Sequence, residues 1–153
     1  MNPKSTASIG GHPIHPMLIP FPVAFFVGTL AVDIAYSQTV HEFWVTAGLW
    51  LLGAGLAMAA LAALAGLTDF LGEPRIRDLR AAWYHMTGNV ILVLIEACNL
   101  WRRLVDGPDF VIPIGLVLSV VATLLLLFNG WKGWEMVYRH RVGIADLPSR
   151  PRV

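Results

Sequence analysis

WYHMTGNVILVLIEACNLWRR, residues Trp83 to Arg103, is apolar enough to enter a membrane, yet it carries a histidine, two asparagines, a glutamate and two arginines. At about 100° per residue, His85, Asn89, Glu96, Asn99 and Arg103 point within about 40° of the His85 direction, and the rest of the surface is mostly Ile, Leu, Val and Ala. Such a stripe cannot face lipid, so it lines a bundle interior or a cavity. Glu96 lies roughly 16 Å beyond His85 at 1.5 Å per residue, deep in the hydrocarbon. A carboxyl group there is neutral, paired or wet.

Three further apolar stretches extend the pattern outward: Met17 to Tyr36, Trp44 to Leu71 and Val111 to Tyr138. Each of them, like Trp83 to Trp101, can cross about 30 Å of hydrocarbon as a helix. The chain of 153 residues is 56% hydrophobic and 14% charged, with a mean hydropathy of +0.64; a soluble domain has about a quarter of its residues charged. Alternating strand patterns are absent and backbone groups in lipid must bond internally, so helices are the expected spanning elements. The expectation is an all-α integral membrane four-helix bundle, a single domain over residues 1–153 with the lipid bilayer as its first partner. A net charge of +1 provides no basic field for nucleic acid.

Orientation follows from the cations. Lys4, Arg75, Arg77, Arg80, Lys132, Arg139, Arg141, Arg150 and Arg152 share one side, against Arg102 and Arg103 on the other. The positive-inside rule sets both termini in the cytoplasm, in a multi-pass protein of the bacterial inner membrane. Trp83, Tyr84, Trp134 and Tyr138 form the expected inner aromatic belt, and Tyr36, Phe43, Trp44, Trp101 and Phe110 the outer one. The first stretch reads as an uncleaved span, because Asp33 interrupts it and only Lys4 precedes it as a cation. Gly55, Ala59 and Ala63 have the spacing of a close helix contact, and Cys98, the single cysteine, is expected as a small core residue.

The intramembrane polar set is Asp33, Asn89, Glu96, Asn99 and Asn129. Asp33 is the expected partner of Glu96 from the first helix. The two acids could share a proton, or Arg103 could keep one of them charged. On the fourth helix Asn129 and His140 share a face, and Gly130 and Gly133 between them allow a close contact or a kink. With both termini inside, His12, His15, His85 and His140 gather at the cytoplasmic ends of three helices, joined by Asp69 and Glu73; only His41 lies outside.

Two chemistries suit that gathering. A b-type haem needs two axial imidazoles at similar depth, which His85 with His15 or His140 would supply, His12 standing nearby and Arg80 and Arg139 meeting the propionates. Alternatively, His15, His85, His140 and Asp69 form a nitrogen and oxygen set for a transition metal without soft thiolate. There is no nucleophile elbow, phosphate loop or dinucleotide fingerprint, so no independent catalytic activity is expected.

The opening GHPIHPMLIPFPVAFFVGTLAVD (Gly11 to Asp33), TDF at Thr68 to Phe70, HMTGN at His85 to Asn89 and the closing GWEMVYRHRVGI (Gly133 to Ile144) together resemble a bacterial family of predicted four-helix membrane proteins, DUF2231-like. Relatives of that kind fused to Rieske-type iron–sulfur domains imply an electron-transfer setting. In the opening, Pro20 and Pro22 each remove an intrahelical bond, so the first helix is expected to start irregularly, with His85 and Asn89 as donors to the freed carbonyls. The leading functional expectation is a haem b-binding electron-transfer subunit of a redox complex. The alternatives are a non-catalytic accessory subunit of a respiratory or photosynthetic complex, partnered by other subunits or by a second copy, and a small metal or proton transporter using Asp33, Glu96 and the cytoplasmic histidines.

Overall fold

In the computed structural model, which describes residues 1–146, the apolar stretches become four long helices. A two-stranded hairpin, β1 (Ser8–Ile9) and β2 (His12–Pro13), turns at Gly10 and Gly11, whose φ values of 59° and 83° favour glycine. The short α1 (Ile14–Leu18) follows, and then α2 (Pro20–Thr39). The break at Ile19 is the irregular start that the prolines demand, with Pro20 in the first turn of α2, where its missing N–H has no partner to lose. The chain reverses at Val40 into α3 (Glu42–Gly72), capped by the His41 ring nitrogen accepting from the Phe43 N–H.

Glu73 and Pro74 end α3 and open the single turn α4 (Pro74–Arg77), after which α5 (Arg80–Asp106) carries the polar stripe. A 3-10 turn (Gly107–Phe110) and a π turn (Val111–Gly115) reverse the chain into α6 (Leu116–Trp134), which winds on as a π turn, Glu135–Arg139. The helices outrun the expected spans at several ends, because helical winding continues into interfacial residues beyond the apolar core. The fourth stretch is the exception, trimmed by non-α turns on both sides.

Three helical runs, Ile14–Thr39, Glu42–Gly72 and Arg80–Arg139, are long and apolar enough to cross a membrane, and the last folds back on itself through the corner at 107–115. The outward faces are apolar: Trp50, Leu64, Leu94, Leu124 and Leu127 are all exposed. An exposed apolar surface of this extent on every helix is a lipid-facing surface, not that of a water-soluble monomer. Trp83, Tyr84, Trp134 and Tyr138 are exposed at one end, and Phe43 and Trp101 at the other. Phe110 departs from the outer belt by folding inward beneath the Arg102 guanidinium.

A central apolar layer of Phe26, Leu52, Ala59, Leu92 and Ala122 joins the four helices. The α2–α3 contact is close because Gly55 has no Cβ; one built there would lie 2.5 Å from Phe26 Cε1. Ala59 is buried as expected, but Ala63 faces outward and Ala62 takes its place, since the buried row on α3 follows the 3.6-residue turn rather than a strict four-residue step. Cys98, expected in the core, is exposed on the lipid side of α5.

The two ends of the described chain meet. The Gly143 N–H donates to Pro3 O and the Asn2 N–H to Asp146, while Ser5, Thr6 and the Ala7 N–H all bond to Asp69. Residues 1–9 therefore form a strap across one end of the bundle. Lys4, Arg75, Arg77 and Arg80 lie at or next to this end; Arg150 and Arg152 lie outside the described residues.

Candidate functional site

Two polar layers sit inside the bundle, one on each side of the apolar layer. Leu92, buried on the same face of α5 as Asn89 and Glu96, interrupts the stripe that the sequence suggested was continuous.

The layer far from the termini is built on Arg103, in the last turn of α5. Its guanidinium donates from Nη1 and Nη2 to Asp33 Oδ1 and Oδ2 at 2.7 and 2.6 Å, and from Nε to Asn99 Oδ1 at 2.9 Å. Ser119, one turn into α6, donates to Asp33 Oδ2 at 2.7 Å. Three helices are thereby tied by one fully buried bidentate pair. Room for it comes from missing side chains: a Cβ on Gly48 would lie 2.9 Å from Nη1, and one on Gly115 3.1 Å from Nη2. Asp33 thus pairs with Arg103 rather than with Glu96. Glu96 accepts from Asn99 Nδ2 through Oε2 at 3.0 Å, and its Oε1 is buried without a partner.

The layer near the termini is built on His15 and His85. Their ring centroids lie 6.0 Å apart with planes at 88°. His15 Nδ1 lies 2.7 Å from Ala62 O and His85 Nδ1 lies 2.9 Å from Asn129 O. A carbonyl only accepts, so each Nδ1 carries a proton, and in the neutral ring Nε2 is the nitrogen with the lone pair.

The two anchors repeat one device. The accepting carbonyl lies four residues before a glycine, Ala62 before Gly66 and Asn129 before Gly133, and the ring lies where the glycine lacks a Cβ. One on Gly66 would sit 2.9 Å from His15 Nδ1, and one on Gly133 3.2 Å from His85 Cε1. Asn89 Nδ2 donates to His85 O at 2.8 Å, and Asn129 Nδ2 to Asn89 Oδ1 at 3.3 Å. His85 and Asn89 therefore serve α5 and α6, not the carbonyls freed by Pro20 and Pro22.

The other expected members stand apart from this pair. His12 is exposed in β2, beside a surface groove of about 470 Å³ shared with Val137 and Val142. His140, 4.0 Å from Glu135, no longer shares a face with Asn129, because the wider π winding over Glu135–Arg139 breaks the α register. Asp69 is committed to the strap. Arg139 pairs with Glu135 at 3.5 Å, and Arg80 makes no ion pair among the described residues. The set His15, His85, His140 and Asp69 is consequently not assembled, and no three His, Cys, Asp or Glu side chains among the described residues converge on a metal position. Gly66 and the Ala62 carbonyl escaped the sequence reading, whereas Gly133 showed only as a possible close contact.

The profile of the family described as predicted membrane protein DUF2231 matches residues 11–146, which takes in both polar layers and every histidine. The chain belongs to this family. No curated protein and no solved structure matches. In this DUF2231 protein the HPIHP opening supplies His15 to the pair, and the HMTGN stretch supplies His85 and Asn89.

Proposed function

We propose that this DUF2231 chain is an electron-transfer subunit of the bacterial cytoplasmic membrane, with both termini in the cytoplasm, holding a b-type haem between His15 and His85. One observation carries the reading: two imidazoles from different helices, 6.0 Å apart, each with Nδ1 committed to a backbone carbonyl. Were a haem bound, His15 and His85 would be the residues to hold its iron. A donor bond from the far ring nitrogen is the usual support of a ligating histidine, since it fixes tautomer and ring direction. The haem, when bound, supplies one-electron chemistry.

The chain's own residues supply the rest. Gly66 and Gly133 admit the rings, Asn89 and Asn129 hold α5 to α6 beside them, and Leu92 and Phe26 keep water from the far side. Of the cations expected for the propionates, Arg139 is paired with Glu135, and Arg80 makes no ion pair among the described residues. Protein purified from a haem-replete host should show a Soret band that His15→Ala and His85→Ala each abolish and His140→Ala leaves intact. A colourless wild-type preparation overturns the reading.

The closed Asp33–Arg103–Ser119 network favours a second reading, an accessory subunit whose polar residues serve packing alone. It requires co-purification with a larger membrane complex and no spectral change in either histidine variant.

A further inference from the structure

Glu96 is fully buried, yet it does not share the ion pair beside it. Arg103 is the one buried cation among the described residues, and it donates to Asp33, Asn99 and Ser119, with no bond to Glu96. Asp33 and Arg103 cancel in charge. An ionised Glu96 would add an uncompensated anion in a low-dielectric interior, with Oε1 lacking any donor, and both are costly. A proton on Oε1 removes the charge. The accepting role of Oε2 toward Asn99 is unchanged by it.

We propose that Glu96 is a proton-binding site within the membrane span, its neutral carboxyl carrying the proton on Oε1. The groups facing it are few. Asp33 comes from α2 and Arg103 from its own helix; the buried residues of α3, Val45, Gly48 and Leu52 at this depth, do not titrate, nor do Ser119 and Ala122 of α6. Asn99 bridges Glu96 to Arg103, donating to the first and accepting from the second. Release of the proton therefore leaves the three-helix junction with one net negative charge and draws Arg103 between two carboxylates. The site stands whether or not His15 and His85 hold a cofactor.

Infrared spectra of the full chain in lipid vesicles, in H2O and D2O, read the proton directly. At neutral pH the wild type should show the carbonyl stretch of a neutral carboxylic acid, and Glu96→Gln should lose it. Glu96→Gln should unfold near the wild-type temperature in acid, where the carboxyl is protonated folded and unfolded alike, and above it at neutral pH, where the wild-type carboxyl loses its proton on unfolding. Identical acid bands in the two proteins, or loss of a carboxylate band instead, overturn the proposal. Gln mimics the neutral acid, so a Glu96→Gln chain that fails to fold at neutral pH also overturns it. Selective 13C labelling of glutamate carboxyls in the wild type gives the same answer without any variant: one neutral shift at neutral pH supports the site, none refutes it.

Discussion

The two polar layers differ in shelter, the one around Arg103 fully buried and the one around His15 and His85 half-buried, and they spend their hydrogen bonds differently. Around Arg103 the bonds run from side chain to side chain across α2, α5 and α6, and both charges are consumed. Around His15 and His85 the anchoring bonds end on backbone carbonyls, so each ring is fixed while one nitrogen remains unused. A closed network sets which helices meet and at what register. An open one keeps ligand capacity. The apolar layer between them also argues that the polar residues do not form one continuous path.

That contrast breaks first at Arg103. Arg103→Met leaves Asp33 buried and uncompensated, which costs about 3–5 kcal/mol, while any haem site at the other end should survive in protein that still folds. Thermal unfolding in detergent beside the visible spectrum tests both halves, and loss of the spectrum at retained fold would show that the layers are coupled. Gly66→Ala comes next. Its Cβ would press on the His15 ring, an overpacking of about 1–3 kcal/mol, and unlike Arg103→Met it should abolish the Soret band.

His85→Ala separates ligation from stability. In protein without haem it removes one anchoring bond, about 1 kcal/mol by unfolding measurements; a loss several times larger would recast the histidine as structural. The smallest effect lies in the strap, where the Lys4 N–H donates to Glu73 Oε2 at 3.3 Å. The Arg75 guanidinium bonded to Glu73 holds its carboxyl at a pKa of about 2, below the ordinary 4.5. A depressed folded value gives a contribution that is complete above about pH 4.5, declines below it and is gone once the pH falls through about 2. Hydrogen exchange of residues 1–9 should accordingly be protected down to about 4.5 apart from its intrinsic pH dependence, and loss of protection above that value would remove Glu73 from the account.

Helical periodicity made the stripe on α5 legible from Trp83 to Arg103, and with it the burial of Glu96, Asn99 and Arg103. The same wheel places Leu92 on the stripe and Cys98 opposite it, so the apolar interruption and the outward cysteine were readable from spacing that was not followed through. The choice of Asp33 over Glu96 as the partner of Arg103 was not, because it depends on which face α2 presents. His15 reaches Ala62 O only because Gly66 lacks a side chain, a relation between residues far apart in sequence that no local pattern carries. His140 was misplaced because an α register was carried through a stretch that winds as a π turn.

Electron paramagnetic resonance of the oxidised full chain, prepared from a haem-replete host, tests the central claim most directly. The account predicts a low-spin ferric signal with two nitrogen axial ligands, lost in both His15→Ala and His85→Ala and kept in Glu96→Gln. Absence of that signal in the wild type, or its survival in either histidine variant, would contradict it.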